Sequence, residues 1–235
     1  MTDKIDRPYA TVILAMSADG KITDTALTAA RFGSVNDKSH LEQQVANSDA
    51  VLFGNGTLRA YGTTLRVTSP DLMEQRKLQG KPPQPVQIVC SRSRQFDPNW
   101  RFFQQPVPRW LLTGNDCRDT ELPCPSPTQD CKFDRTLIAN TIEGEIDWID
   151  AFQQLETLGI KRLAILGGGK LVASVLAAGS IDELWLTVCP LILGGADAPT
   201  PVEGKGFLAD LAPKLELLAV KQVGQEVFLH YRVQR

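Results

Sequence analysis

The chain has 235 residues and a formal charge of −2, with 43% hydrophobic and 22% charged residues. This composition is typical of a globular protein that buries a core without disulfide or metal cross-links. The balanced charge argues against a general nucleic-acid-binding protein, which would carry an excess of Lys and Arg. Arg162 and Lys170 interrupt the longest apolar stretches, so the sequence predicts no membrane-spanning segment.

The N-terminal sequence and the numbers of His and Cys residues exclude further classes of protein. The N-terminus lacks the apolar region of a secretory signal, and we expect a cytoplasmic protein. His40 and His230 are the only histidines, too few for a His-rich metal site or a Ser-His-Asp hydrolase. Five cysteines are an odd number, which favours free thiols. Cys117, Cys124 and Cys131 lack the paired spacing of zinc modules, so we expect no metal site.

The first half of the chain alternates predicted strands and helices. Short continuous apolar segments are typical of buried strands, and Ser34 begins a capping box that predicts the start of a helix. The prolines between residues 82 and 85 separate the second helix from the third strand. The predicted strands are residues 9–16, 50–53 and 86–90, and the predicted helices are residues 38–47 and 71–78, the latter on the surface.

The second half continues the alternation after a proline-rich loop over residues 117–127. Asp147 is a predicted N-cap, and Gly159 and Gly179 are predicted helix ends. The predicted strands are residues 110–113, 137–139, 163–166 and 184–188, the predicted helices are residues 148–158 and 170–178, and residues 215–222 and 227–233 form a pair joined at Gly224. We therefore predict one α/β domain over residues 1–235, with a mixed, mostly parallel sheet flanked by helices and an antiparallel C-terminal pair.

Three consecutive glycines, Gly167, Gly168 and Gly169, separate a predicted strand from a predicted helix. Glycines let the backbone approach a ligand closely, and the amides at a helix N-terminus attract an anion. Lys170 adds a positive charge at the same place. The segment is not a Walker A loop, since the spacing and the Ser or Thr after the lysine are missing. A tight turn without a ligand is the alternative interpretation.

A second glycine segment, Gly54-Asn55-Gly56-Thr57, also follows a predicted strand. It departs from the dinucleotide fingerprint because Arg59 stands where the third glycine is needed. An ordinary strand-to-helix connection explains it equally well when it is considered alone. Two glycine segments at the carboxyl ends of two strands together favour a dinucleotide, because ligands of open α/β sheets bind at that edge.

Seven short segments occur in a fixed order along almost the whole chain. They are Arg7-Pro8-Tyr9, residues 15–21 (AMSADGK), residues 49–57 (DAVLFGNGT), Cys90-Ser91, residues 166–169 (LGGG), residues 177–184 (AAGSIDEL) and residues 190–195 (PLILGG). This series resembles the riboflavin-biosynthesis pyrimidine reductases, the C-terminal reductase domains of bacterial bifunctional deaminase–reductases and their stand-alone relatives. The resemblance implies a dihydrofolate reductase-like fold.

The resemblance also implies an activity and a site. Members of the family reduce the ribosylamino group of a pyrimidinone 5′-phosphate to a ribitylamino group with NADPH, and they often form homodimers. Asp19 and Lys21 would face the substrate as candidate catalytic residues, with Asp19 assisting acid–base chemistry or merely closing a turn. The residues that would line the cofactor site are Ala15, Gly54, Gly56, Thr57, Ser91, Gly167, Gly168, Gly169, Lys170 and Leu171, continuing to Ser174.

Four positions depart from the family pattern. Leu166 replaces an acidic residue before the glycines, Tyr61 begins the segment that replaces Asp-Asp-Pro, and Val45 and Thr68 replace arginines. These departures affect the substrate half of the site. They leave open a same-fold NADPH reductase for another pterin-, pyrimidine- or carbonyl-type substrate, or an inactive nucleotide-binding relative. Replacement cations are available at Arg31, Lys38, Arg59 and Arg66.

Overall fold

The computed structural model describes residues 7–93, 95–115 and 132–234, and nine of its strands form one twisted sheet. These strands are β1 (Tyr9–Ser17), β2 (Ala50–Gly54), β3 (Val86–Cys90), β4 (Arg109–Gly114), β5 (Arg135–Ala139), β8 (Arg162–Ile165), β9 (Glu183–Cys189), β10 (Leu215–Val223) and β11 (Glu226–Val233). A separate hairpin pairs β6 (Thr141–Ile142) with β7 (Glu145–Ile146). The order of the strands in the large sheet is β10-β11-β9-β1-β8-β2-β3-β4-β5.

The strands from β9 to β5 run parallel, whereas β11 is antiparallel to β9 and β10 is antiparallel to β11. This arrangement confirms the predicted mixed, mostly parallel sheet with an antiparallel C-terminal pair. The central strands are buried on both faces, which explains why their sequences are continuously apolar rather than alternating.

Helices cover both faces of the sheet. One core lies between the sheet and three helices, α1 (Val35–Asn47), α2 (Asn55–Tyr61) and α3 (Pro70–Leu78), and contains Val45, Leu58 and Leu72. The other core lies beneath α4 (Trp148–Thr157) and α5 (Gly169–Ala177) and contains Phe152 and Val172. A short 3₁₀ helix, Arg101–Gln104, lies in the connection from β3 to β4. Among the described residues, no helix has the length and apolar character needed to cross a bilayer.

Local signals explain several element boundaries. Ser34 is the N-cap of α1, and its Oγ accepts hydrogen bonds from the amides of Asn36 and Asp37, so the helix begins earlier than residue 38. The second glycine segment is a helix start rather than a loop, because α2 begins at Asn55 and ends before Gly62, whose φ of 63° is left-handed. The predicted loop over residues 117–127 and the three evenly spaced cysteines lie outside the described residues.

The helix α3, which the sequence predicts to lie on the surface, carries one charged side chain that is buried. Arg76 is 1% exposed, and its guanidinium donates hydrogen bonds to three backbone carbonyls, those of Ala46 (2.7 Å), Ser48 (2.7 Å) and Pro82 (2.8 Å). The side chain thereby ties the end of α1 to the segment after α3.

Candidate active site

The two glycine segments meet at one edge of the sheet, as their positions after parallel strands predict. β8 lies between β1 and β2, so the carboxyl ends of these three strands are neighbours. The amide of Gly54 donates to the carbonyl of Gly167 over 3.0 Å, and the amide of Leu166 donates to Leu52 over 2.9 Å. The segments are therefore joined directly by backbone hydrogen bonds.

A cavity of about 600 Å³ opens at this edge. Its volume suits a small organic ligand or part of a dinucleotide. Most of the side chains around it are apolar, so it can exclude water from a bound ligand. It is lined by Ile13, Leu14, Ala15, Ile22, Thr23, Leu27, Thr28, Ala30, Phe32, Gly33, Asp37, Leu41, Gly54, Gly56, Thr57, Ala60, Tyr61, Leu166, Gly167, Gly168, Gly169, Lys170, Leu171, Asp197, Pro199 and Glu203.

The structure brings nine of the ten sequence-predicted cofactor residues to this cavity. The tenth, Ser91, follows β3, whose last residue Cys90 pairs with Gly54. Ser91 Oγ and Asn55 Oδ1 are buried and have no hydrogen-bond partner among the described residues. Unpartnered buried polar atoms are costly, so both atoms offer hydrogen-bonding capacity beside the second glycine segment.

Two of the three consecutive glycines are required by space or backbone conformation. Gly167 has a φ of +95°, which is strained for other residues. A Cβ atom on Gly169 would lie 2.2 Å from the carbonyl oxygen of Thr200. Gly168 is the N-cap of α5 and supplies no side-chain acceptor, so the first amides of this helix are available to an anion. Lys170 is the only cation among the described lining residues.

The two candidate catalytic residues lie beside the cavity rather than in its lining. Asp19 Oδ1 accepts hydrogen bonds from Ser17 Oγ (2.6 Å) and the amide of Leu193 (3.1 Å), and its Oδ2 accepts from the amide of Gly194 (2.7 Å). Lys21 Nζ donates to the carbonyl of Ala198 over 3.1 Å. Both side chains connect the turn after β1 to the segment after β9.

The hydrogen bond from Ser17, followed by the one from Leu193, lowers the pKa of Asp19 to about 2. A carboxyl group with so low a pKa is ionised at neutral pH and acts as a hydrogen-bond acceptor. Its geometry is that of an anchor for the 193–194 segment, whereas a proton-donating role would require a protonated carboxyl group.

Replacing Asp19 with Asn is expected to lower the melting temperature at neutral pH, because the amide cannot accept from all three donors. The folded pKa of about 2 lies below the ordinary value of 3.8, so the ionised carboxylate stabilises the fold above pH 3.8. This advantage is lost as the pH falls towards 2. Melting temperatures of both proteins across this range test the prediction, and an equal difference at both ends would contradict it.

The four positions that depart from the family pattern are divided between the site and the core. Leu166 and Tyr61 line the cavity, and the hydroxyl of Tyr61 donates to the carbonyl of Ala30 over 2.7 Å. Val45 is fully buried in the core, and Thr68 donates to Glu42. None of the four arginines and lysines considered as replacement cations lines the cavity.

Three carboxylates that no sequence motif indicates also line the cavity. They belong to Asp37, Asp197 and Glu203. Asp37 is visible in the sequence only as the last residue of a capping box. Its place in the cavity depends on how α1 packs against β9, which no local pattern indicates. Glu203 reaches the site because its amide donates to the carbonyl of Gly169 over 3.2 Å.

Comparisons with known proteins agree with this architecture. The sequence profile of the RibD C-terminal domain matches residues 8–229. A 2,5-diamino-6-ribosylamino-4(3H)-pyrimidinone 5′-phosphate reductase from Archaeoglobus fulgidus is 29% identical over 224 residues, which cover 93% of this chain and 95% of the relative.

Solved structures show the same fold. A pyrimidine reductase-like protein from Corynebacterium diphtheriae superimposes with a TM-score of 0.76 at 23% identity, covering 98% of this chain and 94% of that protein. Dihydrofolate reductase from Enterococcus faecalis, solved with NADP(H), has a TM-score of 0.50 at 13% identity, with 97% of each chain covered. The dihydrofolate reductase-like fold predicted from the sequence is thus confirmed.

Proposed function

Because the chain belongs to the RibD C-terminal domain family, we propose that it is a reductase of riboflavin biosynthesis that converts the ribosylamino group of a pyrimidinone 5′-phosphate to a ribitylamino group with NADPH. The observation that carries this proposal is the meeting of the two glycine segments at one cavity, in a chain whose family match spans residues 8–229.

The residues around the cavity fit a nicotinamide dinucleotide. The amides at the start of α5 and Lys170 would hold the pyrophosphate, since both favour negative charge. A Cβ atom on Gly54 would lie 3.9 Å from the amide nitrogen of Gly168, so a side chain there would occupy the space between the two glycine segments. The unpartnered Ser91 Oγ would receive a hydrogen bond from, or donate one to, the far part of the dinucleotide.

When bound, NADPH would supply a hydride to the ribose carbon that carries the amino nitrogen. The bond from that carbon to the ring oxygen would break, and the oxygen would take up a proton from solvent. The contribution of the chain is to position the two ligands and to keep water away. Ile13, Ala15, Ile22 and Leu27 provide the apolar wall beside the carboxyl end of β1. The hydrogen bonds from Leu193 and Gly194 to Asp19 hold the segment after β9 against the turn that follows β1.

Titration of the tryptophan fluorescence with NADPH and with NADH, followed by assays of turnover, tests this function. We expect tighter binding of NADPH, and oxidation of NADPH that requires the pyrimidinone substrate. Failure of sub-millimolar NADPH to bind, or binding without any substrate-dependent oxidation, would contradict the proposal. The second result would favour an inactive nucleotide-binding relative.

We also propose that the chain forms a homodimer through the edge strand β10. Leu215, Leu217 and Val220 are 44%, 53% and 57% exposed. Their partners on β11 are Val233, Tyr231 and Leu229, alternate residues that share one face, because a β-bulge after Leu217 restores the alternation. An exposed apolar row on a long edge strand is typical of a surface that another chain covers.

Replacing Leu217 and Val220 together with Lys is expected to convert the dimer into a monomer, because two desolvated ammonium groups would oppose association. Light scattering should give twice the chain mass for the natural protein and a single chain mass for the variant. Leu78→Lys is the matched control, since Leu78 is 80% exposed at the end of α3. This variant should remain a dimer. A monomeric natural protein would refute this assembly.

A further inference from the structure

The carboxylate of Glu203 lies beside the N-terminus of α5, where the pyrophosphate of the proposed cofactor would bind. A Cβ atom on Gly169, the first residue of this helix, would lie 2.8 Å from both Cγ and Oε2 of Glu203. Glu203 also lines the cavity, and its amide donates to the carbonyl of Gly169 over 3.2 Å. A negative charge of the chain is therefore placed next to the first residue of the helix before any ligand binds.

The segment that carries Glu203 packs tightly against this end of α5. The carbonyl oxygen of Thr200 would lie 2.2 Å from a Cβ atom on Gly169, so no side chain separates the segment from the helix. After Glu203, Gly204 has a φ of +81°, and a Cβ atom there would lie 3.3 Å from the Cβ atom of Ala173, one turn along the helix. Contacts on both sides of Glu203 thus fix the position from which its side chain extends.

The charges around the cavity oppose an anionic ligand. Its described lining contains one ammonium group, on Lys170, and three carboxylates, on Asp37, Asp197 and Glu203. Within the described ranges Glu203 forms no ion pair and its carboxylate accepts no hydrogen bond, so no group of this part of the chain neutralises it. Like charges at short distance repel, and solvent screens this repulsion less in a partly buried site than in bulk water. A pyrophosphate at the start of α5 must therefore bind against the charge of Glu203.

Without a ligand, the same carboxylate is in a favourable place. The positive end of the helix dipole attracts a negative charge, and the N-cap residue Gly168 supplies no side-chain acceptor to the first amides of α5. Glu203 therefore stabilises the helix terminus when the site is empty. The carboxylate and an anionic ligand compete for the same electrostatic environment.

We propose that Glu203 is an internal competitor of the cofactor's pyrophosphate. Its charge stabilises the start of α5 in the empty protein and weakens the binding of both NADPH and NADP⁺, so that the oxidised cofactor is released faster after hydride transfer. This inference rests on the proposed reductase function and adds to it a residue that sets the affinity for the cofactor. Glu203 takes no part in the transfer of hydride itself.

Replacing Glu203 with Gln removes the charge and keeps the shape of the side chain. We expect the dissociation constants for NADPH and NADP⁺ to fall by roughly tenfold, because the repulsion of the pyrophosphate is lost. We also expect the melting temperature without cofactor to fall by roughly 1–3 °C, because the helix terminus loses a negative charge. Fluorescence titration and thermal unfolding measure these effects. If Glu203 had only a structural role, its substitution would lower stability and weaken binding together.

The salt dependence of binding and a second variant provide the controls. At about 1 M NaCl the natural protein and Glu203→Gln should bind NADPH within about threefold of each other, because salt screens the repulsion. Asp210→Asn is the matched variant, since Asp210 lies in the same segment after β9 and is exposed. It removes one carboxylate outside the described cavity lining and should change neither the dissociation constants nor the melting temperature.

Two results would overturn the inference. Equal binding of NADPH by the natural protein and Glu203→Gln would show that the carboxylate does not oppose the pyrophosphate. Weaker binding by the variant would show that the carboxylate instead accepts hydrogen bonds from the cofactor, as from ribose hydroxyls. If neither protein bound NADPH, the cofactor site and with it the proposed function would be contradicted.

Discussion

Replacing Gly168 with Asp is expected to raise the dissociation constant for NADPH by at least about 100-fold. Gly168 has φ and ψ of −77° and −179°, extended values that any residue adopts. A Cβ atom there would lie 3.6 Å from Thr57 Oγ1, an ordinary contact, so the new side chain fits. The effect would therefore come from a carboxylate placed at the N-terminus of α5, where it competes with the pyrophosphate.

Gly168→Asn separates charge from size, because Asn has nearly the same shape without the charge. We expect its dissociation constant for NADPH to rise by about tenfold or less, through lost space alone. Fluorescence titration of the three proteins measures both effects. Equal losses in the two variants would show that space, rather than charge, controls binding at this glycine, and would argue against a phosphate site there.

Replacing Arg76 with Ala is expected to lower the free energy of unfolding by about 3–5 kcal/mol. Arg76 is 1% exposed, and its guanidinium donates hydrogen bonds to the carbonyls of Ala46, Ser48 and Pro82. Its removal therefore leaves three carbonyl oxygens without these donors and a cavity in the interior. A loss of this size is a large part of the stability of a typical domain.

Urea denaturation measures this loss directly. Lys77→Ala is the control, because Lys77 is the next residue of α3 and its side chain is 79% exposed. It should change the free energy of unfolding by less than about 0.5 kcal/mol. If Arg76→Ala changed the free energy of unfolding as little as the control does, the three carbonyls would have to accept hydrogen bonds from water or other groups. That result would contradict the role of Arg76 in joining α1 to the segment after α3.

Much of the fold follows from signals that act over a few residues. Continuous apolar segments identified the central strands, because a parallel sheet covered on both faces buries every side chain. Ser34 and Asp147 marked the starts of α1 and α4, since a capping side chain bonds to amides two or three residues along. The turn at Gly224 indicates the antiparallel pair of β10 and β11.

The meeting of the two glycine segments at one cavity is also predictable from the sequence, because each segment directly follows its strand. Parallel strands place their carboxyl ends along one edge, so the sequence order of β2 and β8 was enough to bring Gly54 and Gly167 together. The sequence does not indicate the start of α2, because two of its first three residues, Asn55 and Gly56, are weak helix formers. Packing against the core overrides that preference.

The other carboxylates around the cavity and the partners of Asp19 could not be predicted from local patterns. Asp37 reaches the cavity because α1 packs across β9 and β11, where His40 contacts Trp185 and Phe228. These strands lie almost 150 residues or more away in the sequence. The partners of Asp19 are likewise remote, at Leu193 and Gly194. The sequence indicates the turn that contains Asp19, but it does not indicate which amides donate to the carboxylate. Long-range contacts of this kind leave no periodic signal in the chain.

Transfer of deuterium from NADPH that carries deuterium at both hydrogen positions of the reactive nicotinamide carbon tests the central claim most directly. Mass spectrometry of the product formed from the diaminopyrimidinone ribosylamino phosphate reports the transfer. We predict a ribitylamino product that carries one deuterium, on the sugar carbon bonded to nitrogen. A product without deuterium, or substrate recovered unchanged in the presence of bound cofactor, would contradict hydride transfer by this protein.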